Sequence, residues 1–68
     1  MLITVTWDDQ VGAPKGWYWE VISADGEVIT DSAKLDAPID ADRYGIDEEK
    51  SLRRALKKAY PSARIVAR

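Results

Sequence analysis

Two stretches near the start of the chain alternate apolar and polar residues. Residues 2–7 and residues 17–23 both follow this pattern and are rich in β-branched and aromatic side chains. A period of two residues predicts β-strands with one buried face. The residues that share the predicted inward faces are Ile3, Val5, Trp7, Trp17, Trp19 and Val21. Between the two strands, residues 11–16 contain glycine and proline and predict a loop.

Asp25 and the glycine after it predict a tight turn into a third strand over residues 27–30. An Asp-Gly pair between two β-rich runs is a strong hairpin signal, because glycine adopts positive φ without steric cost. Two registers are open at this point. A two-residue turn pairs Val21 with Thr30, whereas a three-residue Ala-Asp-Gly loop pairs Val21 with Ile29. The second is preferred, since it keeps Ile29 on the face of the tryptophans.

The last third of the chain predicts one helix and one strand. Asp47 is a favourable N-cap, and apolar residues then recur at helical spacing until Pro61 ends the helix. This apolar stripe consists of Leu52, Ala55, Leu56 and Ala59. Residues 63–68 alternate again and predict a final strand beside the first, where the right-handed crossover rule allows a parallel neighbour.

Together these elements predict one small α+β domain over residues 1–68, in the order β-β-β-α-β. A three-stranded antiparallel meander and the C-terminal strand form the predicted sheet, with the helix packed on one face. Residues 31–46 make a long connection for so small a domain. The residues expected to anchor this connection to the body are Leu35, Ile39, Tyr44 and Ile46.

Charge divides the chain into an acidic part and a basic part. Residues 1–49 hold all 12 acidic residues and only three basic ones, which gives a net charge of −9. Residues 50–68 hold seven basic residues and no acidic one, which gives +7. Such asymmetry indicates a charged partner.

The acidic residues from the hairpin turn to the helix start predict a surface for a basic partner protein. Complementary charge would steer this surface into a basic groove that otherwise holds nucleic acid. The predicted acidic residues are Asp25, Glu27, Asp31, Asp36, Asp40, Asp42, Asp47, Glu48 and Glu49. Trp17 and Tyr18 are the candidate aromatic contacts, although tryptophan in so short a chain also suits the core. A solvated acidic surface without a partner is the simpler alternative.

The polar face of the predicted helix offers an alternative site, for nucleic acid or phosphate. It carries Lys50, Arg53, Arg54, Lys57 and Lys58. Like charges four residues apart disfavour a helix by a few tenths of a kcal/mol per pair, so the cluster needs an explanation. A cluster late in a helix complements the helix dipole, and it also suits phosphate binding. The net charge of −2 argues against a nucleic-acid-binding domain.

The absence of two residue types narrows the possible chemistry. The chain has no histidine and no cysteine, so it lacks the commonest general base and the commonest metal ligand, and it can form no disulfide. Asp40 and Asp42 open a calcium-loop pattern, but Ser51 stands where the bidentate glutamate belongs. We therefore expect no enzymatic activity, metal or cofactor.

Hydropathy and the N-terminal residues predict the location of the protein. No apolar run approaches the roughly 20 residues of a membrane span, and residues 1–7 lack the features of a signal peptide. We therefore expect a cytoplasmic protein that does not bind a membrane. It would be a monomer, or a dimer that forms through an exposed sheet edge.

The chain has an aromatic strand, then an Asp-Gly-Glu-Val-Ile turn and Ser32, and later Gly45 and Ile46 before its helix. This arrangement over residues 16–46 resembles the repeat unit of the YegP-like family of small domains. The resemblance implies a sheet-plus-helix fold and no catalytic residues. In size, charge and lack of catalytic side chains, the chain also resembles small acidic phage inhibitors, including anti-CRISPR proteins. That resemblance implies a DNA mimic in the host cytoplasm that occupies a nucleic-acid-binding site on its partner.

Overall fold

A computed structural model describes residues 1–9 and 15–68 as a four-stranded sheet with one α-helix. The predicted α+β class and the order β-β-β-α-β are confirmed. Of the predicted loop between the first two strands, residues 11–14 lie outside the described residues. The elements are β1 (Leu2–Asp8), β2 (Gly16–Ile22), β3 (Val28–Asp31), α1 (Glu49–Ala59) and β4 (Arg64–Ala67), with 3-10 turns at Ala41–Arg43 and Ile46–Glu48.

The strands lie in the order β3-β2-β1-β4 within one sheet. β1 and β2 are antiparallel, with Leu2 opposite Ile22 and Trp7 opposite Trp17, and β3 is antiparallel to β2. β4 is parallel to β1, with Arg64 beside Leu2. The predicted meander and the predicted parallel neighbour of the first strand are therefore both confirmed.

The turn between β2 and β3 is the predicted three-residue loop. The Ser23 N–H donates to the Glu27 carbonyl at 2.8 Å, which closes the loop. Gly26 has a φ of 89°, a left-handed conformation that suits glycine. After the loop, Ile22 pairs with Val28, as this turn type requires.

The preferred pairing of Val21 with Ile29 is wrong, because a β-bulge interrupts the ladder there. Val21 pairs with Thr30, and Ile29 is left half exposed. The shifted register lets Ser32 bond Trp19 twice. Its N–H donates to the Trp19 carbonyl at 3.0 Å, and its hydroxyl accepts from the Trp19 N–H at 3.2 Å. These two bonds fix the end of β3 in a register that alternation did not indicate.

One face of the sheet, the inward face, holds the hydrophobic core. The buried residues are Ile3, Val5, Trp17, Trp19, Val21, Ala41, Leu52, Leu56 and Ala63. Trp7 is partly buried and packs edge-on against Trp17, with ring centroids 5.4 Å apart and planes at 71°. The predicted inward faces of the first two strands are confirmed. The predicted burial of Leu52 and Leu56 in the helical stripe is also confirmed, whereas Ala59 is exposed.

Residues 32–48 pack on the inward face beside the helix rather than forming a free loop. Ile39 and Tyr44 pack against the core as predicted. Leu35 and Ile46 were also expected to anchor this connection, but both are exposed. In their place the core takes Ala41, because a small side chain fits where the first 3-10 turn contacts β2.

The helix begins later than the sequence predicts. Asp47 was expected as its N-cap, but this residue is exposed within the 3-10 turn Ile46–Glu48, and α1 starts at Glu49. The Glu48 carboxylate accepts the Gly45 N–H at 2.7 Å, so it caps the 3-10 turn instead. The helix starts later because the 3-10 turn Ile46–Glu48 precedes it and uses the Glu48 carboxylate as its cap.

Lysines cover one backbone carbonyl at each side of the sheet. Lys34 Nζ donates to the Ile29 carbonyl of β3 at 3.4 Å. Lys57 Nζ donates to the carbonyl of Ala63, just before β4, at 2.6 Å. Free backbone groups at an edge attract further strands, and lysines near an edge reduce this tendency. The dimer through a sheet edge stays a prediction.

Replacing one buried leucine should nearly unfold the domain. We expect Leu56→Ala to reduce the free energy of unfolding by about 2–5 kcal/mol, because it leaves a cavity between helix and sheet. A core of this size provides only about 3–5 kcal/mol in total. Leu35→Ala makes the same change at an exposed position and should alter stability by less than about 0.5 kcal/mol. Urea denaturation measures both, and equal losses would contradict the packing described.

Candidate protein-binding surface

The face of the sheet opposite the core carries no helix within residues 1–9 and 15–68. We call it the outward face. Strand pairing assigns its members, because residues in register share a face. Their side chains are those of Leu2, Thr4, Thr6, Asp8, Tyr18, Glu20, Ile22, Val28, Asp31, Arg64 and Val66, with Gly16 opposite Asp8. Thr4 is the one buried side chain among these, so the face is partly open to solvent.

Tyr18 is the exposed aromatic residue of this face. Its exposed fraction is 38%, whereas that of Trp17 is 8%. The prediction of Trp17 as an exposed contact is therefore corrected, because its ring lies on the inward face and its Nε1 donates to the Gly45 carbonyl at 2.8 Å. Tyr18 remains available to a partner.

Burial and two nearby carboxylates raise the pKa of the Tyr18 hydroxyl. Partial burial raises the pKa of Tyr18 above its ordinary value, and the negative charges of Asp31 and Glu20 raise it further. Glu20 and Asp31 lie opposite each other on β2 and β3. The ring is therefore bordered by negative charge on the outward face.

A shallow groove of about 280 Å³ lies where β1 ends and β2 begins. We call it the acidic groove, because Asp8 and Asp42 line it together with Tyr18. The described residues that line it are Asp8, Gly16, Trp17, Tyr18, Ser32, Ala33 and Asp42. Tyr18 and Asp8 also line a second hollow, to which Glu20 and Arg68 contribute. Tyr18 thus stands between two hollows that both contain carboxylates.

Gly16 allows Asp42 to approach the sheet. A Cβ atom at position 16 would lie 3.0 Å from Asp42 Oδ1, a distance at which the carboxylate would have to move. The 3-10 turn Ala41–Arg43 holds Asp42 in place, since the Asp40 carboxylate accepts the Asp42 N–H at 3.1 Å. The groove therefore depends on a glycine at the start of β2 and on a turn far along the chain.

The structure separates the predicted acidic residues into groups. Asp31 and Asp42 lie near Tyr18, as just described. Asp25 and Glu27 lie at the β2–β3 turn, at the opposite end of β3 from Asp31. The four residues of β3 extend over roughly 10 Å, so the turn and the groove do not form one continuous patch.

Several predicted acidic residues have partners within the chain. Asp25 accepts from the Ser23 hydroxyl, and this hydrogen bond and those from the backbone lower the pKa of Asp25. Asp31 accepts the Ala33 N–H at 2.9 Å. Asp40 forms an ion pair with Arg43 at 3.7 Å, and Glu49 forms one with Arg53 at 3.0 Å. Glu48 accepts the Gly45 N–H. Turn formation and capping thus explain much of the acidic run, while Asp36 and Asp47 are simply exposed.

Asp8 lines both the acidic groove and the second hollow, and Glu20 lines the second hollow. Neither residue was among the predicted site residues. Glu20 could have been found from alternation, since it lies two positions after Tyr18 and must share its face. Asp8 stands at the end of β1, where an acidic residue also suits a turn. Its position beside Tyr18 follows from the pairing of Asp8 with Gly16, which the sequence does not indicate.

The basic helix face is only partly available. Arg53 pairs with Glu49, and Lys57 donates to the Ala63 carbonyl. Lys50, Arg54 and Lys58 remain exposed at four-residue spacing, without an ion pair to any described residue. They form a narrow positive stripe, on the opposite side of the molecule from the outward face.

Other kinds of site have little support in the part of the chain that the structure describes. There, no cluster of three acidic residues could hold a metal ion, and no helix is long and apolar enough to span a membrane. Comparison with protein-family models, with curated proteins and with solved structures finds no match to this chain. The resemblances to YegP-like domains and to phage inhibitors therefore stay predictions.

The environment of Tyr18 can be tested by titration. We expect Asp31→Asn and Glu20→Gln each to lower the pKa of Tyr18 toward its ordinary value, because each removes negative charge that disfavours the phenolate. Alkaline spectrophotometric titration, with Tyr44 and Tyr60 changed to phenylalanine, isolates the Tyr18 signal.

Glu27→Gln is the matched control for this titration. It removes the same charge at the hairpin end of the sheet and should leave the pKa of Tyr18 unchanged. A shift of equal size in the control would mean that net charge alone, and not the two neighbours, raises this pKa.

Proposed function

We propose that this chain is a non-enzymatic binding domain whose acidic groove and neighbouring carboxylates occupy a basic site on a partner protein. The observation that carries the proposal is the position of Tyr18. It is exposed, Asp31 and Glu20 act on its hydroxyl, and it stands between two hollows that contain carboxylates. Exposed aromatic residues with charged neighbours are common centres of protein interfaces.

The groove suits a long basic side chain better than a small molecule. Its volume of about 280 Å³ is below the roughly 300–1,000 Å³ of typical ligand pockets, and it is open to solvent. Lysine and arginine pack their charged groups over aromatic rings and pair with carboxylates. Tyr18 offers the ring, and Asp42 offers a carboxylate at the groove wall.

The charge near Tyr18 remains negative after the internal ion pairs are considered. Arg68 Nη1 lies 3.5 Å from Glu20 Oε1, so one carboxylate of the second hollow is partly neutralised. Asp31 and Asp42 have no ion pair to a described residue. Their negative charge would raise the rate at which a basic partner associates.

A phage-encoded inhibitor, as the sequence resemblance implies, is the most specific form of this proposal. Such a protein would act in the host cytoplasm by occupying a basic nucleic-acid-binding site. The carboxylates around Tyr18 supply negative charge for this purpose, although they form a compact patch rather than the long row that a DNA backbone presents.

A basic peptide tests the proposed surface. We expect Asp31→Asn/Asp42→Asn to weaken the binding of a fluorescein-labelled nona-arginine peptide about tenfold at low salt, because two rim charges contribute roughly 1.4 kcal/mol together. Asparagine keeps the oxygen with which Asp31 accepts the Ala33 N–H. Fluorescence anisotropy measures the dissociation constant.

The matched control carries the same change of net charge elsewhere. Glu27→Gln/Asp47→Asn alters two exposed carboxylates that lie outside the groove, and it should weaken binding less than twofold. If both double variants lose the same affinity, then the peptide responds to net charge and the groove is not the binding site.

Nucleic-acid binding is the second candidate function, and the stripe of Lys50, Arg54 and Lys58 favours it. Like charges at this spacing disfavour the helix, and no described carboxylate offsets them. A function in phosphate binding would explain their arrangement. The stripe is short, however, and the chain is acidic as a whole.

Salt dependence distinguishes this second candidate from the first. If the stripe binds a labelled DNA duplex, Arg54→Ala should reduce the slope of log affinity against log salt concentration by about 1. Arg43→Ala, on the 3-10 turn, should leave the slope unchanged. The absence of any anisotropy change at low salt would exclude the second candidate.

A further inference from the structure

We propose that the outward face binds the outward face of a second copy of this chain, with a two-fold axis parallel to the strands. The outward face shares Tyr18, Glu20 and Asp31 with the proposed binding surface, but the inference does not rest on the proposed function. It follows from how charge and apolar side chains are distributed across the four strands.

Charge on the outward face changes sign from one edge to the other. Asp31 lies on β3 at one edge, and Glu20 lies beside it on β2. Arg64 lies on β4 at the other edge, and Arg68 follows that strand. The Arg68–Glu20 contact at 3.5 Å bridges the middle of the face, which leaves Asp31 and Arg64 as the outer charges without an ion pair to a described residue.

This pattern is self-complementary for one orientation of a face-to-face pair. A two-fold axis along the strands places β3 of each copy against β4 of the other, so the acidic and basic edges meet twice. Because this axis preserves height along the strands, Asp31 lies opposite Val66 of the other copy, and the long Arg64 side chain reaches it across one pairing step of about 7 Å. An axis across the strands would place β3 on β3 and β4 on β4, so like charges would meet. Isologous pairing requires self-complementary surfaces, and charge therefore selects the first orientation.

Apolar side chains occupy one end of the face. Leu2 and Ile22 are directly paired and half buried, and Val28 is paired with Ile22 and is 46% exposed. Val66 lies diagonally beside Leu2 on β4 and is half buried. These four apolar side chains form a patch on adjacent strands. The axis along the strands places Leu2 of each copy over Ile22 of the other and removes this pair from water, whereas Val28 lies opposite Arg64.

The size of the face predicts a weak dimer. Four strands at about 4.8 Å spacing, with two of seven residues, cover roughly 20 by 20 Å. A pair of such faces buries on the order of 800 Å², below the roughly 1,200–2,000 Å² of stable complexes. We therefore expect a dissociation constant in the micromolar range or weaker.

Charge reversal tests the pairing. We expect Arg64→Glu alone and Asp31→Lys alone to be monomeric, because each places two like-charge contacts in the dimer. An equimolar mixture of the two variants should dimerise again, since both contacts are then between opposite charges. Sedimentation velocity up to about 1 mM protein covers the expected range, and thermal unfolding verifies that each variant is folded.

An apolar substitution provides a second test that leaves the turn at Asp31 intact. Val28→Lys changes an exposed position in the patch and should weaken the dimer at least tenfold. Ile46→Lys makes a similar change at a residue that is 57% exposed near the helix start, and it should leave the dimer unchanged.

Three results would overturn the proposal. They are a wild-type protein that is monomeric at about 1 mM, a dimer that persists unchanged in Arg64→Glu and Val28→Lys, and a mixture of charge-reversed variants that stays monomeric. The test is separate from that of the groove, because Arg64→Glu lies away from Asp8 and Asp42. A monomeric Arg64→Glu variant that still binds the arginine peptide would support both proposals independently.

Discussion

The inward side chains of β2 are the constraint on which the rest of the domain depends. β2 pairs with β3 on one side and with β1 on the other. Its two tryptophans belong to the core on which the helix and residues 32–48 pack. Trp17 holds the long connection through its hydrogen bond to Gly45, at a separation of 28 residues. Trp19 fills the centre and is fully buried, but its Nε1 has no acceptor among the residues that the structure describes. An unpaired buried donor costs about 1–3 kcal/mol, so the packing around this ring must compensate.

This arrangement leaves the outward face without a cover. The helix and residues 32–48 both pack on the side of the tryptophans, so no described element covers the other face of the sheet. A small domain buries a smaller share of its surface than a large one. Tyr18, the acidic groove and the patch around Ile22 all lie on or beside this uncovered face. The surfaces available for binding are therefore set by the choice of which face to bury.

Sequence patterns predicted the elements well, and the pairing less well. Alternation, the Asp-Gly turn and the helical stripe are local signals, and the strands and helix that they indicate are present. The bulge at Ile29 is not local, because it arises from the two bonds between Ser32 and Trp19. Leu35 shows the same limit: an apolar residue in a turn has no periodicity that would reveal whether it faces the core. The acidic groove was equally beyond local patterns, since Asp8 and Asp42 meet only through the sheet and a distant 3-10 turn.

The charge asymmetry of the sequence becomes an asymmetry across the sheet because of the topology. The acidic first part of the chain includes β3, at one edge of the sheet, and the basic last part includes β4, at the other edge. Had β4 joined the sheet beside β3, the two charge groups would have neutralised each other along one edge. The parallel pairing of β4 with β1 keeps these edges about three strand spacings apart, or roughly 14 Å. On the outward face, Glu20 and Arg68 form the ion pair that joins described residues across this distance. On an uncovered face, separated charges are exposed to a partner of complementary charge, which is what both proposed interactions require.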